Sequence, residues 1–422
     1  MKVFKFGGAS VNSASAVENM SHIVELHYGE PLVVVVSAMG KTTNLLEKLV
    51  PQDNTLPANF KENFNQLTSY HEEIVTQLFE NQSKPILAKL KKLFSQINNQ
   101  IRHSSFDYNY NYDQIVSFGE IISTTIVSEY LNYKGLKNSW LDVRTVIKTN
   151  DRYREGKVDW ALTQSATDKV LKPLFNVHKM VVTQGFIAGS AMGATTTLGR
   201  EGSDYSASVL SYCLDAQTMT IWKDVPGFLN ADPKFFSQTV KIQQIPYNEA
   251  IELTYFGASV IHPKTLKPLQ NKQIPLYVKS FITPDEEGSV IGDFSEIKPL
   301  TPLYIFKNNQ ILLSILPKDF SFIAEDNLQA IFGTFAQAGI KVNMMQNSAL
   351  SFSVCLDNSD LIFEKLIPLL KKSFKVRYNT GLQLITIRYY NDDIINSIVG
   401  QRDILLEQRS RSTVQILVEN NQ

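Results

Sequence analysis

The apolar positions of this chain fall into short unbroken runs, each closed by a turn of glycines and hydroxyl residues and followed by a stretch of helical period. Leu32–Val36 has no polar alternation at all. A run of that kind is what a parallel strand covered on both faces requires, since neither face meets water. Met180–Val182 and Ile221–Trp222 have the same character, and Val3–Phe6 is a short apolar run with Lys5 embedded in it. The first run ends at Gly7-Gly8-Ala9-Ser10 and leads into Ala16, Met20 and Ile23 at helical spacing; the second ends at Ser37-Ala38-Met39-Gly40 and opens a helix near Leu45. Repeated strand–turn–helix units predict an open α/β sheet with a mainly parallel core, whose ligands collect at the C-terminal ends of the strands.

From Pro51 to about Ile101 the pattern is helical, with Leu67, Ile74, Leu78, Leu87, Leu90 and Leu93 as core candidates. Asn98 to Asp113 is rich in Asn and Tyr and reads as a surface loop. Pro275–Phe281 reads as the last strand of the first domain, and Pro, Gly and acidic residues between Pro284 and Pro302 mark a boundary. Two domains are expected, 1–284 and 300–422. The second alternates short elements: strands at Ile311–Leu316, Ile340–Met345, Leu350–Leu356 and Lys375–Tyr378, helices at Ala324–Ala338 and Ile362–Ser373, then a shorter second set from Leu382–Ile387 to Thr413–Val418.

Charge narrows the function classes. Lys+Arg and Asp+Glu both number 41 in 422 residues, so no excess charge draws the chain to nucleic acid or a membrane surface. The longest apolar run is far too short to span a bilayer and the start lacks a signal-peptide pattern, so a cytoplasmic protein is expected. Cys213 and Cys355 lie outside any Cys-x-x-Cys pattern and read as buried structural thiols, and the scattered histidines suggest no transition-metal site.

The chemistry-bearing residues sit at the strand ends. Gly7 and Gly8 lack Cβ, so their amides can approach an anion closely, while Ser10 and Ser13 can cap the helix whose positive end faces it. Lys5 would aim its ammonium at the same anion. Glu120, opening a helix after Ser117-Phe118-Gly119, is either a first-turn acid or a receptor for a substrate ammonium. In Thr195–Ala207, Arg200 offers a fork suited to a carboxylate, and Asp204 can hold a lysine or orient a metal-bound phosphate.

These stretches, Lys5-Phe6-Gly7-Gly8-Ala9-Ser10, Val36-Ser37-Ala38-Met39-Gly40, Ser117-Phe118-Gly119-Glu120, Thr196–Tyr205, Trp222–Gly227, Ala231-Asp232-Pro233 and Tyr255–Pro263, together resemble the aspartate kinases of the amino-acid-kinase superfamily. The resemblance implies an α/β/α sandwich followed by ferredoxin-like ACT modules (α+β), one complete at about 311–379 and one truncated at about 382–422 plus a strand near 303–307. It implies transfer of the ATP γ-phosphoryl group to L-aspartate. By the same resemblance Lys5 contacts the transferring group and Asp204 holds Lys5. Arg200 grips the α-carboxylate of aspartate and Glu120 its ammonium, with Ser37, Thr43, Phe186 and Ser203 around them. Gly7, Gly8, Ser10, Lys223, Asp224, Asp232, Lys234 and Lys264 serve the nucleotide, and Mg²⁺ arrives bound to ATP rather than in a protein cage. A homodimer and an amino-acid effector at the ACT modules are also implied.

The chain departs from the family pattern at Glu201, where Gly is usual, Lys223 for Thr, Leu229 for an aromatic residue, and Ser259 for Lys. Altered or weaker ATP binding is the expectation. Asn343 and Ala349 stand where lysine-sensitive members supply acids, which predicts weak or absent lysine inhibition, since an ammonium buried among neutral groups is costly. Two other readings stay open: a kinase for another acidic amino acid such as glutamate, and a non-catalytic amino-acid sensor on a kinase-like scaffold.

Overall fold

A computed structural model describes residues 1–52, 55–236, 238–258, 261–319 and 321–420; Ser259, one of the departures noted above, lies outside them. The chain divides into two compact units: Met1–Phe228 with Lys241–Ile251 and Val260–Pro299, and Leu229–Val240 with Glu252–Ser259 and Leu300–Gln422. No helix among the described residues is long and apolar enough to cross a membrane.

The first unit is built on strands β1 (Lys2–Phe6), β2 (Leu32–Val36), β3 (Ser139–Leu141), β4 (Met180–Gln184), β5 (Thr218–Lys223), β6 (Gln244–Pro246), β7 (Leu276–Ser280) and β8 (Ser289–Gly292), in the order β6-β8-β7-β5-β1-β2-β4-β3. All neighbours run parallel except β7 with β8. Every residue of β2 and of β4 is buried, as their unbroken apolar runs require. The sheet therefore does not end at Pro275–Phe281: β8 follows β7 and returns antiparallel to it, a short strand whose Gly and Ser carry little strand signal.

Helices α1 (Ala14–Glu25), α2 (Thr42–Glu47), α3 (Phe60–Phe79), α4 (Lys84–Arg102), α5 (Tyr108–Val116), α6 (Phe118–Tyr133) and α7 (Gly202–Cys213) surround this sheet. The Ser13 side chain, not Ser10, caps α1, accepting from Ala16 N at 3.2 Å. Val17, Met20, Ile23 and Val24 then fall on one face and are fully buried. The Asn- and Tyr-rich segment is helical rather than a loop. Asp107 accepts hydrogen bonds from Asn109 N and Tyr110 N and so starts α5, whose Tyr112, Ile115 and Val116 are buried. A cap and a buried face offset the poor helix propensity of Asn and Tyr.

The second unit is an antiparallel sheet of β9 (Leu303–Pro317), β10 (Met344–Asn347), β11 (Phe352–Asp357), β12 (Phe374–Arg388), β13 (Ile404–Arg409) and β14 (Thr413–Glu419), ordered β10-β11-β9-β12-β14-β13, with helices α8 (Glu325–Ala338), α9 (Ile367–Lys371) and α10 (Asp392–Val399). The strands expected at 303–307 and 311–316 are one 15-residue strand, and those expected at 375–378 and 382–387 are another. The two pair along their length with a register shift between Lys307 and Gln310, where Asn309 has φ 52°. The break in hydrophobic pattern is this bulge, not a turn. The strand expected at Ile340–Met345 begins only at Met344. One βαββαβ set is complete, and the second borrows the first half of β9 as its last strand.

Candidate active site

Lys5 sits next to the C-terminal end of β1, at the centre of the sheet. Its Nζ lies 2.7 Å from Oδ1 of Asp204, in the first turn of α7. Both residues are buried, at 8% and 3% exposure. The turn that delivers α7 is tightly determined. Glu201 takes a left-handed conformation with φ 52° before the helix. A Cβ on Gly202 would come within 2.7 Å of the Phe186 ring, and one on Gly185 within 2.8 Å of Ser203 Cα, so only glycine lets the third strand end and α7 meet. The first two strand ends are locked in the same way: Gly40 N donates to Gly8 O at 3.0 Å, and a Cβ on Gly8 would stand 2.7 Å from Ala38 O.

Together these turns wall a cleft of about 970 Å³. Lys5, Gly8, Ser37, Thr43, Glu120, Phe186, Arg200, Ser203, Asp204 and Lys223 all line it. Gly7 is beside it, with its Cβ position 3.4 Å from Lys5 Nζ. Ser10 is buried behind the turn and donates to Trp222 O. Lys264 donates to Leu198 O at 2.6 Å, and burial lowers the pKa of its ammonium. Asp224 is exposed just past β5. Asp232 and Lys234 fall in the other unit, where Asp232 Oδ1 accepts from Lys234 N.

Sequence reasoning missed one wall of the cleft. Tyr112, Arg152, Arg154, Glu155 and Thr197 also line it. Asp113, fully buried behind them, accepts from Arg154 N, Thr197 N and Thr197 Oγ1. It holds Arg154 at φ 66°, with the guanidinium 4.3 Å above the Tyr112 ring. The one signal available was the charged stretch Asp151–Glu155, but nothing in its spacing tied it to the strand ends.

Burial dominates the electrostatics. It pushes the Glu120 carboxyl up to about 8, against the opposing pull of the Ala38 N–H and of Lys5. It raises Asp113 to about 6 despite the hydrogen bonds that favour its charged form. Glu201 is also raised, by burial and by Asp204. The two thiols are buried and pushed up to about 11 for Cys213 and about 12 for Cys355, so neither is a nucleophile at neutral pH.

Comparison with known proteins gives this arrangement a family. The sequence profile described as "Amino acid kinase family" matches residues 1–280. Lysine-sensitive aspartokinase 3 of Escherichia coli (strain K12) is 32% identical over 397 residues, 91% of this chain and 86% of that protein. Aspartokinase 1, chloroplastic, of Arabidopsis thaliana is 31% identical over 86% of this chain and 65% of its own length. Among solved structures, E. coli aspartokinase III in complex with aspartate and ADP (R-state) superposes with a TM-score of 0.83 at 28% identity, covering 99% of this chain and 96% of that one. The same enzyme in complex with lysine and aspartate (T-state) gives 0.83 at 29% identity. The chain therefore belongs to the aspartokinases of the amino acid kinase family.

Proposed function

We propose that the cleft transfers the γ-phosphoryl group of ATP to the β-carboxylate of L-aspartate, giving 4-phospho-L-aspartate and ADP. The observation that carries this reading is the buried Lys5–Asp204 pair beside the C-terminal end of the central strand β1, in one cleft with Glu120 and Arg200. A carboxylate is already an anionic nucleophile at pH 7, so no general base is needed, and the work left to the protein is positioning and charge stabilisation.

A β-carboxylate oxygen attacks the γ-phosphorus while the bond to the β,γ-bridging oxygen breaks and ADP departs. Lys5, fixed by Asp204, meets the negative charge on the moving phosphoryl oxygens, and the amides about Gly7 and Gly8 meet it from the turn. Arg200, exposed on the loop before α7, takes the α-carboxylate as a fork. Glu120 takes the α-ammonium. Ser37, Thr43, Phe186 and Ser203 shape the space between them, and the chain around Lys223, Asp224 and Lys264 serves the nucleotide.

No group of three His, Cys, Asp or Glu side chains suited to a metal occurs among the described residues. We read magnesium as carried on the triphosphate and completed by water, with Asp204 and Glu201 among the carboxylates that line the cleft with Lys5. When bound, the ion neutralises charge on the phosphates.

The second unit we read as paired ACT-like modules that bind an amino-acid effector and join two copies of the chain. Edge strand β10 supports the pairing, since among the described residues its far side has no strand partner and Met345 on it is 51% exposed. The direct test of the activity is ADP release with Mg-ATP and hydroxylamine as acyl-phosphate trap. Turnover with L-aspartate and little with L-glutamate is expected, and equal turnover with glutamate would overturn the substrate.

A further inference from the structure

The strand next to Lys5 ends in a second lysine on the same face. β1 and β5 run parallel with Lys5 opposite Ile221 and Phe6 opposite Trp222. Side chains alternate with a period of two, so Lys223, two places beyond Ile221, projects to the same side as Lys5. On that side Asp204 meets both ammonium groups: Oδ1 lies 2.7 Å from Lys5 Nζ and Oδ2 3.9 Å from Lys223 Nζ. Both lysines line the cleft, and Lys223 is the more open of the two, with 24% of its side chain exposed against 10%.

We propose that Lys223 is a second catalytic cation of the phosphoryl-transfer centre, contacting the γ-phosphoryl group of ATP from the β5 side while Lys5 contacts it from the β1 side. The proposal rests on reading the cleft as a phosphoryl-transfer site. One carboxylate thus stands between two ammonium groups and brings both to the same end of the cleft. A phosphoryl group in flight spreads charge over three equatorial oxygens, which a single lysine cannot reach from one direction. Glu201 gives the chain a specific need for this cation. Its partly buried carboxyl lines the same end of the cleft, and it would repel a polyphosphate unless positive charge stood close by. Lys223 supplies that charge on a strand end, where packing on both sides holds it, rather than on a loop.

The test compares the full chain with Lys223→Met and Lys223→Arg, using two ligands that differ only by the γ-group: ADP and the non-hydrolysable triphosphate AMP-PNP. Affinity for AMP-PNP should fall roughly tenfold in Lys223→Met, the size of one charge-assisted hydrogen bond, with ADP affinity changing far less. kcat should fall on the order of a hundredfold, KM for aspartate should stay put, and Lys223→Arg should recover part of the loss. Equal losses for ADP and AMP-PNP, or none, would overturn the proposal. So would full restoration of Lys223→Met by a second change, Glu201→Gln, because Lys223 would then be a counter-charge and no more. The nucleotide titration decides even if wild-type protein fails to turn over aspartate, a result that would count against the proposed substrate instead. Should Lys223→Met not fold, Lys223→Gln takes its place in the same titrations.

Discussion

Glu120 carries an unmet hydrogen-bonding need in the cleft. Its Oε1 accepts the Ala38 N–H at 3.2 Å, while its Oε2 is buried with no hydrogen-bond partner among the described residues. An acid raised to about 8 holds its proton at neutral pH. An incoming α-ammonium would give Oε2 a partner and favour the charged form, so binding aspartate at pH 7 should release a proton. kcat/KM for aspartate should therefore rise from pH 6.5 toward about 8. In Glu120→Gln that rise should vanish, with KM for aspartate raised; a profile unchanged by the substitution would contradict the assignment. Stability runs the other way. A carboxyl whose folded pKa is raised contributes fully below its ordinary value near 4.5, and that contribution is lost as pH climbs through about 8. At this scale the sequence was informative where a residue stood in a motif at a strand end or a helix start, as Lys5, Glu120, Arg200 and Asp204 did. It was silent on Asp113 and Arg154, because their meeting depends on how α5 and the strand Thr195–Thr197 pack.

At the level of elements, continuous apolar runs made β1, β2, β4 and β5 legible, since a doubly covered strand leaves no other pattern. Two kinds of element were not. α5 hides a helix in loop-like composition, and β9 and β12 each hide one long strand behind a bulge. The glycine turns are where sequence and geometry agree most sharply. In Gly8→Ala the added methyl would meet the backbone carbonyls of Ala38 at 2.7 Å and Gly40 at 3.0 Å, neither of which can swing aside. Separating the two strand ends should cost about 1–3 kcal/mol and pull the phosphate-facing amides out of place. Thermal unfolding and kinetics should show a modest loss of stability beside a much larger loss of kcat; normal kcat would contradict the placement of this turn at the phosphates.

On the scale of the whole molecule, a linear boundary near residue 300 captures only part of the division. Leu229–Val240 groups with the second unit because Phe235 stacks on Phe306 at 5.0 Å and Phe236 on Tyr304 at 4.7 Å. Those contacts join residues some 70 apart, beyond the reach of any local pattern. In the same unit Asn343 is already engaged: Lys307 Nζ donates to its Oδ1 at 2.9 Å, and its amide donates to Gln310 and Asp357 at 2.8 Å. A lysine effector arriving there would meet the Lys307 ammonium, would find the Asp357 carboxylate already engaged by Asn343 and Gln310, and would have to displace this network. Half-inhibition should require well over about 1 mM lysine, a binding energy of about 4 kcal/mol; sub-millimolar inhibition would show that the acids it needs come from elsewhere.

The account stands on Lys5 and Asp204 acting as the phosphoryl-transfer centre for aspartate. The most direct measurement is ADP release with hydroxamate trapping for wild type and Lys5→Ala, each with L-aspartate and with L-glutamate. Aspartate-dependent hydroxamate from wild type, lost by several orders of magnitude in a folded Lys5→Ala that still binds aspartate, is the predicted result. Equal turnover in Lys5→Ala, or none from folded wild type with either acid, would contradict it.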